Sequence, residues 1–175
     1  MALHKLTFVL GGAASGKSAL AEQISDATGK PKVYIATAQA FDDEMRQKIA
    51  AHQVSRGDSW LTVEEPFDLV GVLERQSAES VVLVDCLTLW LTNILLADHD
   101  LDAEFGRLIQ ALDGRGCELV LVSNEVGQGI VPDNALSRKF LAAQGRLNQK
   151  VAASADTVIA VMAGLTIALK GEMPL

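Results

Sequence analysis

The chain has 175 residues, 49% hydrophobic and 21% charged, which is enough for one compact domain with a sizeable core, and nothing in it divides into two. A net charge of −7 excludes a nucleic-acid surface built on clustered Lys and Arg, but leaves room for a phosphate ligand in a local pocket. The cysteines, Cys86 and Cys117, lack metal-type spacing and read as small buried residues in a reducing compartment, the cytoplasm by default.

From the N-terminus, "MALHKLTFVLGGAASG" has the outline of a secretion signal: a lysine, a short apolar run, then small residues. The run is too short for that role and reads better as a first strand, 6–10, feeding a glycine loop. No stretch approaches the ~20 apolar residues that span a bilayer, so membrane insertion is not expected. The loop "GGAASGKSAL" fills the pattern G-x-x-x-x-G-K-[ST] with Gly11, Gly16, Lys17 and Ser18. Gly12, Ala13, Ala14 and Ser15 take its variable positions. Small residues let backbone N–H groups wrap phosphate oxygens, Lys17 reaches the β and γ phosphates, and Ser18 ligates Mg²⁺. A helix over 17–28 adds its positive dipole end.

A second strand, 32–36, leads to "DDEMRQKIAAHQVSRGDSW", which predicts a helix over 42–54. Met45, Ile49 and His52 fall at i, i+4 and i+7, so the imidazole shares the apolar stripe, while Glu44 and Lys48 pair on the solvent side. An inward histidine is ordinarily a core residue with one satisfied hydrogen bond. A helix over 67–78 precedes the strand 80–85, whose terminal Asp85 is placed to hold the hydration shell of Mg²⁺. Helices over 87–97 and 101–113 lead to a strand over 118–123 and then "SNEVGQGIVPDN". That segment reads either as a binding loop at a strand's carboxyl end or as an ordinary glycine-containing connector. The N-K-x-D segment with which regulatory GTPases read guanine does not occur. The last helix, 134–154, carries Leu136, Phe140, Leu147 and Val151 as one apolar stripe. A strand over 157–162 then turns at a glycine into one more strand through "TIALK", antiparallel to the others. Continuous β-branched runs alternating with helices predict a P-loop NTPase-like α/β fold, a mostly parallel central sheet flanked by helices.

Taken in order, "GGAASGKS", "YIATAQ", "DDEM....I..H...R", "W.T.E.P", "VDCLTLWLTN", "SNEVG.GIVP" and "GR.NQ..A..AD.V" span nearly the whole chain. Together they resemble the bifunctional adenosylcobinamide kinase / adenosylcobinamide-phosphate guanylyltransferase family of cobalamin biosynthesis. The phosphate loop alone is shared by many enzymes; its combination with "IAT", the histidine and "SNEVGQGIVP" is far more specific. The resemblance implies phosphorylation of adenosylcobinamide, then transfer of GMP from GTP to adenosylcobinamide phosphate with release of pyrophosphate. It also implies that His52 carries GMP as a phosphoramidate, and the chemistry agrees, because neutral imidazole is nucleophilic near pH 7.

Further site residues follow from the same resemblance. The phosphate loop binds the triphosphate, and Thr37, Ala38 and Gln39 line the nucleotide pocket. Gln53, Val54, Ser55, Arg56 and Glu64 contact the nucleotide, and Asp85 lies beside it or its Mg²⁺. His52 and Lys17 are then the catalytic residues, Ser18 and Asp85 the metal ligands, ATP and GTP the nucleotide substrates, and the assembly a homotrimer. Glu64 can accept hydrogen bonds from the N1–H and amine of guanine, and Arg56 can clamp a phosphate. Gly57 departs from the proline that the family often shows after this arginine, which loosens the turn.

Two other readings stay open. In a simple P-loop small-molecule kinase His52 would be structural, and no protein-bound nucleotide would accumulate. A GTP-sensing binding module would hold the nucleotide without releasing pyrophosphate. Some relatives carry out only the second reaction, so retention of the kinase step, the choice of ATP or GTP as phosphoryl donor and the corrinoid contacts are not legible.

Overall fold

The computed structural model describes residues 5–39 and 59–174. Along the chain run β1 (Leu6–Gly11), α1 (Lys17–Ala27), β2 (Lys32–Ala36), β3 (Trp60–Glu64), α2 (Leu69–Leu73) and β4 (Val81–Asp85). They are followed by α3 (Leu87–Leu96), α4 (Leu101–Asp113), β5 (Glu118–Asn124), α5 (Ala135–Ser154), β6 (Thr157–Met162) and β7 (Leu165–Lys170). A seven-stranded sheet in the order β3-β2-β4-β5-β1-β6-β7 joins these strands. Neighbours are parallel except β6 and β7, which are antiparallel, as expected.

The strands read as continuous apolar runs because both faces of the sheet are covered. Leu6, Phe8, Ile35, Val82, Val84 and Leu121 share a core with α2, α3, α4 and α5. Val9, Tyr34, Val81, Leu83 and Val122 pack instead with Leu20, Ala21 and Ile24 of α1. Successive residues of one strand thus enter opposite cores.

Three local differences from the expected elements have physical causes. β3 has no counterpart among the expected strands; as an edge strand it is only partly buried, with Leu61 64% exposed, so its residues mix apolar and polar types. The helix expected over 67–78 is confined to Leu69–Leu73. Its start is set by side chains, since Asp68 Oδ1 accepts from Gly71 N at 3.2 Å and Glu65 Oε1 accepts from the backbone N–H groups of Phe67 and Asp68, both at 2.9 Å. On α5, Leu147 and Val151 are fully buried, but Phe140 is only partly so and Leu136 is exposed. The buried face of that helix includes Gln144 and Asn148, polar residues that an apolar stripe does not count. The helix expected over 42–54 lies outside the described residues. No described helix is long and apolar enough to cross a membrane.

Candidate nucleotide site

β1 delivers the chain to the carboxyl edge of the sheet at Gly11, and α1 starts six residues later at Lys17. Gly16 takes φ 99°, a left-handed conformation that glycine adopts without a Cβ penalty. At Gly11 the requirement is space, because a Cβ there would overlap Ser15 Oγ and stand 2.6 Å from Val161 O. Lys17 folds back over the loop, its Nζ donating to Gly12 O at 3.0 Å. Gly12, Ala13 and Ala14 are exposed, while Lys17 and Ser18 are half-buried. Ser15 is buried, and its Oγ has no hydrogen-bond partner among the described residues. Backbone N–H groups at a helix N-terminus, with a lysine beside them, form an anion cradle.

Asp85 ends β4, with β5 between it and β1, so it stands ~10 Å across the sheet from the loop's strand at ~4.8 Å per strand. Tyr34 OH donates to Asp85 Oδ2 at 3.1 Å. Behind that carboxylate, the Thr37 hydroxyl donates to Cys86 O at 2.7 Å and accepts from Cys86 N at 2.9 Å. Asn93 Nδ2 donates to Thr37 O at 2.8 Å and to Pro66 O at 3.0 Å. Thr37 is fully buried. Its hydroxyl is used in both directions, so it fastens the chain after β2 to the end of β4, where Ala38 and Gln39 are half-buried. Burial, then the negative charge of Asp85, pushes the Cys86 thiol up to about 11, and burial raises that of Cys117. Neither thiol supplies a nucleophile near neutrality.

Glu64 is exposed at the end of β3, level with Ala36 of β2. Ala36 in turn is level with Asp85. The carboxylates of Glu64 and Asp85 thus project from one edge of the sheet on the same side of β1. His52, Gln53, Val54, Ser55 and Arg56 lie outside the described residues. Among the described residues no group of three or more His, Cys, Asp and Glu could hold a metal ion. A nucleotide-bound Mg²⁺ needs only one or two protein oxygens besides phosphates and water, and Ser18 with Asp85 fits that donor set.

A polar cluster at the end of β5 was not anticipated by the sequence. Ser123 Oγ donates to Asn148 Oδ1 at 2.8 Å and accepts from Gln144 Nε2 at 3.0 Å. Asn148 Nδ2 donates to Asn124 O at 3.1 Å, while Asn124 N donates to Thr88 Oγ1 at 2.8 Å. The cluster holds Asn124 level with Gly11, and Glu125 N then donates to Gly11 O at 3.1 Å. The signal was the pair of amides at i and i+4 on the inner face of α5, a spacing that places both on β5.

On the β6 side of the loop lies a cleft of about 500 Å³, lined by residues 11–15, Glu125, Gln128, Met162, Ala163 and Leu169. Gly164 N donates to Ser15 O at 2.9 Å, tying the β6–β7 turn to the loop. A cavity of about 440 Å³ between α2 and α4 contains none of the candidate residues.

The profile of the cobinamide kinase / cobinamide phosphate guanyltransferase family matches residues 7–169. The chain belongs to that family. The bifunctional adenosylcobalamin biosynthesis protein CobP of Pseudomonas aeruginosa is 46% identical over 167 residues, covering 94% of this chain and 96% of that protein. The bifunctional adenosylcobalamin biosynthesis protein CobU of Escherichia coli is 38% identical over 181 residues, covering 94% and 99%. The RadB recombinase crystal structure aligns with a TM-score of 0.56 at 17% identity, over 98% of this chain and 83% of that one, a likeness of fold alone. As a member of the cobinamide kinase / cobinamide phosphate guanyltransferase family, the chain is an enzyme of cobalamin biosynthesis on a P-loop NTPase-like fold.

Proposed function

We propose that the chain, as one nucleotide-binding domain, phosphorylates adenosylcobinamide and then moves GMP from GTP onto adenosylcobinamide phosphate. The observation that carries this reading is the phosphate cradle with Lys17, two strands from Asp85, in a chain of this family. In the first reaction the acceptor hydroxyl oxygen bonds to the γ phosphorus of ATP or GTP. The bond to the β–γ bridging oxygen breaks, the nucleoside diphosphate leaves, and the hydroxyl proton is lost to solvent. Loop N–H groups and Lys17 stabilise the charge on the phosphate oxygens. Ser18 and Asp85 would hold Mg²⁺, and Tyr34 fixes one oxygen of that carboxylate. The ion, when bound, neutralises charge on the β and γ phosphates.

In the second reaction an imidazole nitrogen of His52 bonds to the α phosphorus of GTP, and the α–β bridging oxygen leaves with pyrophosphate. A phosphate oxygen of adenosylcobinamide phosphate then displaces the nitrogen and restores the histidine. Ala38, Gln39, Glu64 and residues Gln53, Val54, Ser55 and Arg56 form the guanine side of the site, with Thr37 positioning rather than touching. The working form is a cytoplasmic homotrimer. Exposed Leu165 and Ile167 on the edge strand β7 support burial against another copy, and two buried thiols suit a reducing compartment.

Two labels test the reading. γ-Labelled ATP should label adenosylcobinamide, and α-labelled GTP should place GMP on adenosylcobinamide phosphate with release of pyrophosphate. The first without the second leaves a simple kinase, and nucleotide binding with neither leaves a sensing module. Light scattering should give three times the chain mass, and a monomer would refute the trimer.

A further inference from the structure

The phosphate loop has two sides, and beyond the loop itself the expected nucleotide contacts among the described residues occupy only one. Asp85, Ala38 and Glu64 follow or end β4, β2 and β3, all reached from β1 by way of β5. Phosphoryl transfer needs a nucleotide laid the other way. Lys17 and the metal-binding Asp85 serve the β and γ phosphates, so the γ end points toward β4. The α phosphate and its nucleoside therefore leave toward β6, where the open cleft lies. We propose that this cleft seats the purine nucleoside of the phosphoryl donor, apart from the seat used in guanylyl transfer. The inference rests on the two-reaction reading above.

The chemistry of the walls suits that occupant. The volume, about 500 Å³, is in the range of small-molecule sites. Met162, 68% exposed, and Leu169, 62% exposed, offer apolar surface to a flat ring. The Gln128 side chain carries both a donor and acceptors for a purine edge. Glu125 Oε1 accepts from Gly127 N at 2.6 Å, and the carboxylate retains acceptor capacity for ribose hydroxyls. Ser15, in the wall, keeps a buried Oγ that the described residues do not satisfy, a group expected to find a partner. The bond from Gly164 N to Ser15 O keeps that wall in register with the cradle. With two seats, one loop can present γ phosphorus to an alcohol in one reaction and α phosphorus to a histidine in the other.

Met162→Trp plugs the cleft from an exposed position, and Gln128→Ala removes the edge contact. In each variant the KM for ATP in adenosylcobinamide phosphorylation should rise about tenfold or more. That rise should exceed, several-fold, any rise in the KM for GTP when adenosylcobinamide phosphate is supplied directly. Equal rises would overturn the proposal by showing one shared seat, and so would no rise in either. A rise in the KM for adenosylcobinamide alone would also overturn it, giving the cleft to the acceptor. Photolabelling of the wild type with 8-azido-ATP reads binding without turnover: label on peptides containing 125–128 or 160–169, suppressed by ATP, supports the seat, and label confined elsewhere overturns it. Label in the cleft of a wild type that transfers neither group would sink the two-reaction reading and with it the donor role of the cleft, whereas both transfers intact with label confined elsewhere would sink the seat alone.

Discussion

The two sides of the phosphate loop are built differently. Toward β4 and β2, side chains bond to one another and to backbone: Tyr34 to Asp85, Thr37 to Cys86, Asn93 to the carbonyls of Thr37 and Pro66. Toward β6 and β7, a backbone bond from Gly164 N to Ser15 O ties the hairpin to the loop, and Met162, Leu165, Ile167 and Leu169 stand exposed. The difference teaches where precision is required. Charged groups that stabilise developing charge must be held in place before the reaction, whereas a surface that accepts an apolar ring or another subunit needs area more than exact orientation.

The comparison can be broken at several points. Lys17→Ala should lower kcat for phosphoryl transfer by about 10²–10³, as loss of one preorganised donor does, with the urea midpoint little changed because its bond to Gly12 O is exposed. A rise in KM alone with kcat preserved would remove the lysine from the chemistry. Thr37→Val strips both hydrogen bonds from the backbone of Cys86 in a buried setting, which should cost about 1–3 kcal/mol by urea denaturation. The same variant should speed alkylation of Cys86, which is 6% exposed in the intact fold; unchanged stability and reactivity would show that this side is not held as described. Tyr34→Phe removes one bond to Asp85 and should cost about 0.5–1.5 kcal/mol, with a raised Mg²⁺ requirement in the kinase assay. On the open side, Ile167→Lys should change the stability of the folded subunit by no more than about 0.5 kcal/mol, while lowering the mass seen by light scattering. An undisturbed assembly would place the subunit contact elsewhere.

How much of this could be read beforehand depended on whether a residue's neighbours lie close in sequence. The strand, loop and helix around Gly11, Gly16, Lys17 and Ser18 follow from local rules, since each residue acts on backbone within a few positions, and α4 spans the range expected of it. Asp85 at the end of β4 was legible for the same reason. Thr37 was not, because its partner Cys86 is 49 residues away and no local pattern announces a hydroxyl bonded on both sides to a backbone. Gln144 and Asn148 were hidden by a reading that equates burial with apolarity; here buried amides pair with Ser123 and Asn124 across more than twenty residues. β3, with one neighbour and partial burial, lacked the apolar run that marks interior strands. The cleft beside β6 depends on three separate segments meeting at the loop, which is a property of topology.

Intact-protein mass spectrometry of the enzyme incubated with GTP and Mg²⁺ tests the guanylyl-carrier claim most directly. The account predicts a single GMP added to the wild type, mapped to the peptide containing His52, discharged by adenosylcobinamide phosphate and missing from His52→Asn. Formation of the GDP-linked product by His52→Asn at the wild-type rate, or by the wild type with no adduct ever detected under single-turnover conditions, would contradict it.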